Sequence, residues 1–154
     1  MALKIGDKAP EFTVSDQNGN DVSLADFKGK KVVLFFYPKD NTPTCTVEAC
    51  NLRDNYKELQ NMGYEVLGIS TDSAKKHQNF IGKHELPYTL LADTEKHVHE
   101  LYDTWKEKQM YGRKYMGTVR TTFIIDENGI IENIIEKVKA KEHTSQILEG
   151  VQTS

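Results

Sequence analysis

The stretch "KKVVLFFYP" constrains this chain more than any other. From Val32 to Tyr37 no polar residue interrupts it. A strand with one wet face alternates apolar and polar residues, whereas an unbroken run marks a strand buried on both faces. Such a strand must lie inside a sheet with a layer packed on each side. Neither this run nor any other reaches the length of a membrane span. It stops at Pro38. A few residues later Thr42-Pro43 forms a helix-start signal, with a hydroxyl at the N-cap and proline at the first helical position.

The rest of the chain repeats the alternation. "EFTVSDQNGNDVSLADF" reads as an opening hairpin, with Phe12 and Val14 alternating with polar residues and Asn18-Gly19 at the turn. A helix is expected from about Pro43 to Asn61, closed by Gly63. "YEVLGIS" is a second buried strand and "YTLLAD" a short one, with a polar helix near Ser73 to His84 between them. A helix follows from about Glu95 to Tyr102. "TVRTTFIID" and "GIIENIIE" are two strands joined through Glu127-Asn128-Gly129, and a short helix spans Thr144 to Leu148. This is an α/β pattern: a mainly parallel sheet, right-handed at its crossover, with an antiparallel edge from the late hairpin. It suits a thioredoxin-like fold, a mixed central sheet flanked by helices with an N-terminal β-hairpin extension. Without repeats or linkers, residues 1–154 read as a single domain.

The chain has two cysteines, Cys45 and Cys50, both in the stretch after the buried strand. Ligands of such sheets bind beyond the C-terminal ends of strands, which is where this stretch lies. Cys45 falls in the first turn of the expected helix, where unpaired backbone N–H groups and the positive end of the dipole favour a thiolate. Ala49, Leu52, Tyr56 and Leu59 follow it at helical spacing, so it lies on the inward stripe. A small core cysteine that happens to begin a helix fits the same pattern. Ionisation alone yields a small rate gain. An ordinary thiol is about 3% ionised at pH 7, and the extra thiolate won by acidification is largely offset because nucleophilicity falls with basicity, slope ~0.4–0.5. A fast reaction here also needs donors aimed at the transition state.

In one regular helix the two Cα atoms would stand roughly 8.6 Å apart, turned about 140° from each other. A disulfide needs about 4.4–6.8 Å. A fixed bridge is therefore disfavoured, and oxidation would have to unwind the first turns unless the helix is already interrupted. Zinc is disfavoured too, since C-x4-C has no second ligand pair and His97 and His99 would diverge on a helix. These two, with His77, His84 and His143, read as surface residues.

"FFYPKDNTPTCTVEACNLRD" closely resembles the peroxiredoxins, in particular their bacterioferritin-comigratory or Q-type branch. Pro38, Thr42 and Cys45 meet the family pattern Pro-x3-Thr-x2-Cys, and Cys50 stands where that branch has its second cysteine. "YGRKYMGTVRTTFIIDENG" is similar to the segment bearing the active-site arginine, which falls on Arg120. The likeness spans nearly the whole chain, from the "GDKAPEF" opening on. Thr44 departs from the glycine common in this branch.

The resemblance implies thiol-dependent peroxide reduction without metal, haem or flavin. Cys45 would attack the peroxide, Cys50 would resolve the sulfenic acid as an intramolecular disulfide, and a thioredoxin-like donor would reduce that disulfide. Thr42 would bond the thiolate or peroxide besides capping the helix by accepting the Cys45 backbone N–H. Pro38 would shield the sulfur, and Arg120 would bind the developing charge. Glu48, one turn past Cys45, would orient Arg120 or lie on a solvated face. The net charge of −3 argues against nucleic acid even though "WKEKQMYGRKYMG" mixes aromatic and basic residues, and that segment reads as a loop near the site. The opening "MALKIGDKAPEF" lacks the apolar core of a signal peptide, so a cytoplasmic address is expected, and the expected state is a monomer. A thioredoxin-type oxidoreductase would carry C-x-x-C instead, and a zinc or peptide-binding module with an inert thiol would show a thiol pKa near that of free cysteine.

Overall fold

The computed structural model describes residues 3–40, 42–136 and 138–147. Its centre is a five-stranded mixed sheet of β3 (Lys31–Phe36), β4 (Tyr64–Ser70), β5 (Thr89–Ala92), β8 (Thr121–Ile125) and β9 (Ile131–Ile135), in the order β5-β4-β3-β8-β9. β3 pairs parallel with β4, and β4 with β5. β8 runs antiparallel to β3, and β9 antiparallel to β8. This is the thioredoxin-like arrangement, with the apolar run at the middle of the sheet.

β3 is buried on both faces, as its sequence requires. Val33, Phe35 and Tyr37 point into one cluster with Cys45, Ala49, Leu52, Leu59 and Phe80. Val32, Leu34 and Phe36 point into the other, with Phe12, Val98, Tyr102 and Phe123. Each such side chain is worth about 1.5–3 kcal/mol when fully buried. The first face is covered by α1 (Pro43–Asp54), α2 (Tyr56–Asn61) and α3 (Ala74–His84). The second is covered by α4 (His97–Leu101) and the N-terminal segment with its hairpin of β1 (Thr13–Ser15) and β2 (Asp21–Ser23). Gly68 keeps the first face tight, since a Cβ there would stand 2.6 Å from Leu90 Cδ2 and 2.8 Å from Phe35 Cζ.

Four expectations are corrected. The helix expected over 43–61 is two helices, broken at Asn55. The Asn55 side chain donates to the Asn51 carbonyl at 2.8 Å, the acceptor its own N–H would use in a continuous helix, and that N–H turns to Arg53 O. The supposed loop "WKEKQMYGRKYMG" is a hairpin of β6 (Trp105–Met110) and β7 (Arg113–Thr118). Its turn, Tyr111-Gly112, has positive φ at both residues (53° and 77°), the geometry that matches strand twist in two-residue hairpins. Alternating charges rather than alternating apolar residues hid those strands. "TVRTTFIID" is not one strand, because β7 ends at Thr118 and β8 begins at Thr121, leaving Val119 and Arg120 in the break. Finally, His77, His99 and His143 are fully buried rather than on the surface, while His97 is exposed. Residues 143–147 are helical as expected, and Leu148 lies outside the described residues.

Candidate active site

α1 begins just past the C-terminal edge of β3. Thr42 is its N-cap in extended conformation and Pro43 its first residue. Thr42 Oγ1 does not accept the Cys45 N–H as expected. It donates instead to Lys39 O at 3.2 Å, and the first turn closes through the Thr46 N–H on Thr42 O at 2.8 Å. Pro38 lies half-buried two residues past the end of β3. The turn before the helix is tied down by Asp40, whose N–H donates to Asp72 Oδ2 and whose carboxylate takes Tyr37 O–H and His77 Nδ1, each contact at 2.6 Å.

Both cysteines lie within α1, which runs unbroken through them, and both are free thiols. Cys45 is buried and Cys50 partly buried. Arg120 Nη2 donates to Cys45 Sγ at 3.1 Å, and Arg120 Nη1 donates to Glu48 Oε1 at 2.5 Å. The break between β7 and β8 makes this possible, because it lets Arg120 reach across from just before the start of β8 to the first turns of α1. One planar guanidinium thus spans a sulfur and a carboxylate one helical turn apart.

Glu48 does not lie on a solvated face. It is fully buried, and burial pushes its carboxyl up to about 7 against the pull of Arg120. Arg120 keeps its charge despite its own burial because Glu48 and Cys45 lie beside it. Beyond Glu48 stands His143, whose Nδ1 faces Glu48 Oε2 at 3.4 Å and whose Nε2 is 2.7 Å from Thr122 Oγ1. Burial, and then the Arg120 charge, push this imidazole down to about 3. The sequence reading missed His143, Thr122 and Asn51. Asn51 Nδ2 donates to Lys141 O, and Asn51 Oδ1 accepts from Thr144, fastening the C-terminal segment to α1. The available signal for His143 was its spacing four residues before Ile147, which is buried in the same core. Among the described residues no group of three His, Cys, Asp or Glu side chains is placed to hold a metal.

A thiol at a helix start, held by a guanidinium on a thioredoxin-like sheet, is the layout of a thiol-based redox enzyme. Residues 5–134 match the AhpC/TSA family. The chain is 49% identical over 148 residues to a putative peroxiredoxin Bcp of Coxiella burnetii, covering 96% of this chain and 98% of that protein. It is 44% identical over 149 residues to peroxiredoxin Bcp of Bacillus subtilis, covering 97% and 95%. Among solved structures, a cysteine-to-serine mutant of Xylella fastidiosa PrxQ superposes with a TM-score of 0.92 at 28% identity, covering 99% of this chain and 98% of that one. Xanthomonas campestris peroxiredoxin Q superposes at 0.86 with 32% identity, covering 92% and 90%. The chain belongs to the AhpC/TSA family and is a peroxiredoxin, an enzyme that reduces peroxides with a thiol.

Proposed function

We propose that Cys45 is the peroxidatic thiolate, that Cys50 resolves it, and that a thioredoxin-like dithiol closes the cycle. The observation that carries this is the 3.1 Å hydrogen bond from Arg120 Nη2 to Cys45 Sγ. Cys45 sulfur attacks one peroxide oxygen, the S–O bond forms as the O–O bond breaks, and the departing oxygen leaves as water or an alcohol after taking a proton. Arg120 donates to the oxygens as charge moves onto them, anchored from behind by Glu48. Thr42 supplies a hydroxyl at the mouth of the site, and its rotation away from Lys39 O would turn that hydroxyl toward the sulfur or peroxide. Pro38 shields the sulfur from water. The sulfenic acid is then attacked by the Cys50 thiol, which expels water and forms the disulfide.

The substrates proposed are hydrogen peroxide and organic hydroperoxides. A solved structure of the Xanthomonas campestris bacterioferritin comigratory protein describes alkyl peroxide reduction for that relative. The working unit proposed is the monomer, with residues 1–154 as one domain, because Cys45, Cys50, Arg120 and Glu48 all come from one chain. A cytoplasmic address is proposed because a thioredoxin-like donor works in a reducing compartment. No described helix is long and apolar enough to cross a membrane. Peroxide consumption with a thioredoxin system tests the cycle. Loss of turnover in Cys45→Ser is expected, and retained turnover in that variant overturns it.

A further inference from the structure

Glu48 Oε2 and His143 Nδ1 are both fully buried, and neither has a hydrogen-bond partner by strict geometry, yet they face each other at 3.4 Å. Buried polar atoms without partners are costly, so two that face each other define a contact. We infer that His143 is a positioning residue for the peroxidase reaction: with Thr122 behind it, its ring holds the Glu48 carboxyl, which in turn sets the Arg120 fork against Cys45. This rests on the reading of Cys45 and Arg120 proposed above.

The imidazole sits between two groups that can each reverse their role. When Glu48 is ionised, Oε1 accepts from Arg120 and Oε2 accepts the ring Nδ1–H. The ring Nε2 then accepts the Thr122 hydroxyl. When Glu48 is protonated, the proton sits on Oε2, because Oε1 faces Arg120. It donates to Nδ1, the ring carries its own proton on Nε2, and Thr122 Oγ1 accepts. The ring holds one proton in both states, and the additional proton is the one on Glu48. A hydroxyl that donates or accepts by rotation is what allows the exchange of tautomers. Glu48 with its carboxyl near neutrality, and a ring that stays neutral down to about pH 3, both fit this arrangement.

The ring is held in place for the task. Phe35 packs edge-on against it with centroids 5.7 Å apart, Thr122 lies opposite Phe35 in the sheet, and Thr144 next to His143 is fastened to Asn51 of α1. The charged and titratable groups facing Glu48 are Arg120 from the break before β8, His143 from the C-terminal helix, Cys45 on its own helix and Tyr88 before β5. Arg120 is the cation that Glu48 and Cys45 share, so anything that holds the carboxylate also holds the fork.

Two substitutions separate positioning from packing. An Asn amide nitrogen occupies the place of the ring Nδ1, and a Gln amide reaches the place of Nε2. His143→Asn keeps a donor for Glu48, whereas His143→Gln keeps the Thr122 contact and removes that donor. The second-order rate of Cys45 oxidation by hydrogen peroxide and the ultraviolet thiolate absorbance are measured from about pH 5 to 9. Each variant is corrected for its folded fraction by near-ultraviolet circular dichroism. His143→Gln is expected to lower the rate at pH 7 about tenfold, or ~1.4 kcal/mol, and to move the acid limb of the profile to higher pH. His143→Asn is expected to stay within about threefold of the parent with its acid limb in place, the size of a neutral hydrogen bond lost at the far nitrogen. Equal losses in both variants, or no loss in either, overturn the inference. Cys45→Ser is run alongside. If it still consumes peroxide, the reading of Cys45 fails. If Cys45 is required while Asn and Gln behave alike, only the role of His143 fails.

Discussion

Asn51 Oδ1 accepts both the Thr144 backbone N–H at 2.8 Å and the Thr144 hydroxyl at 2.9 Å, so the helix carrying both cysteines also carries the clamp on the C-terminal segment. Asn51 is the residue after Cys50. Both thiols cannot meet while α1 is intact, because regular helix geometry holds their Cα atoms roughly 8.6 Å apart. Forming the disulfide must therefore unwind the turns that hold Asn51. Hydrogen exchange in the oxidised protein is expected to rise over residues 43–51 and, with it, over 141–147. Unchanged protection in the second segment would show that the clamp survives oxidation.

In the proposed cycle Cys50, on the far side of α1 from Cys45, resolves and does not attack. Cys50→Ser is expected to consume about one equivalent of peroxide and stop at a sulfenic acid. Mass spectrometry of the treated variant checks this, and a protein without oxidised Cys45 counts against the scheme.

In the proposed cycle Arg120 supplies donors that thiolate formation cannot replace. Arg120→Ala is expected to slow Cys45 oxidation about a hundred- to a thousandfold, ~2.7–4 kcal/mol, by analogy with removal of one oxyanion-hole donor. Arg120→Lys is a poor rescue, since one ammonium cannot span Sγ and Glu48 Oε1 as the fork does. Stopped-flow measurement of the oxidation rate decides it, and a loss below about threefold in Ala would make Arg120 a structural charge.

The buried pair makes two opposing contributions to stability against pH. Glu48 is raised to about 7 from an ordinary 4.5, so between these values the folded state holds a proton the unfolded chain has lost, and stability falls as pH rises. His143 is lowered to about 3 from an ordinary 6.5, so between these values the unfolded chain holds the extra proton, and stability rises with pH. In the parent the two largely offset where the windows overlap. In Glu48→Gln only the second is left, and stability is expected to fall as pH drops below 6.5. In His143→Gln only the first is left, and stability is expected to rise as pH drops below about 7. Urea unfolding midpoints across the range test the opposite slopes, and parallel curves for the two variants would refute them.

Close packing under the site sets a further limit. Gly68→Ala places a Cβ within 2.6–2.8 Å of Leu90 and Phe35. Overpacking of this kind costs about 1–3 kcal/mol, and thermal unfolding of the variant measures it.

The sequence by itself determined the central strand, the start of α1 and the position of Cys45. Each depends on local signals: an unbroken apolar run, a Thr-Pro helix start, and the spacing of apolar residues along one helix. The likeness in Pro38, Thr42, Cys45 and Cys50 was legible for the same reason, since that motif is contiguous around the thiols, and Arg120 was legible from a second stretch, "YGRKYMGTVRTTFIIDENG". Tertiary structure alone decided what Arg120 touches, because the chain changes sheets at Val119 and a side chain read as part of a strand is free to reach α1. It alone decided that Glu48 is buried. On a helix of charged and apolar residues nothing local tells which face another element will cover, and here the 140–147 segment covers it, reaching α1 at the Asn51–Lys141 hydrogen bond, 90 residues apart in sequence. The buried histidines were hidden for a related reason. A polar ring is tolerated in a core only when its nitrogens find partners, and those partners, Asp40 for His77, Asp93 for His99, Glu48 and Thr122 for His143, are brought to them by the fold.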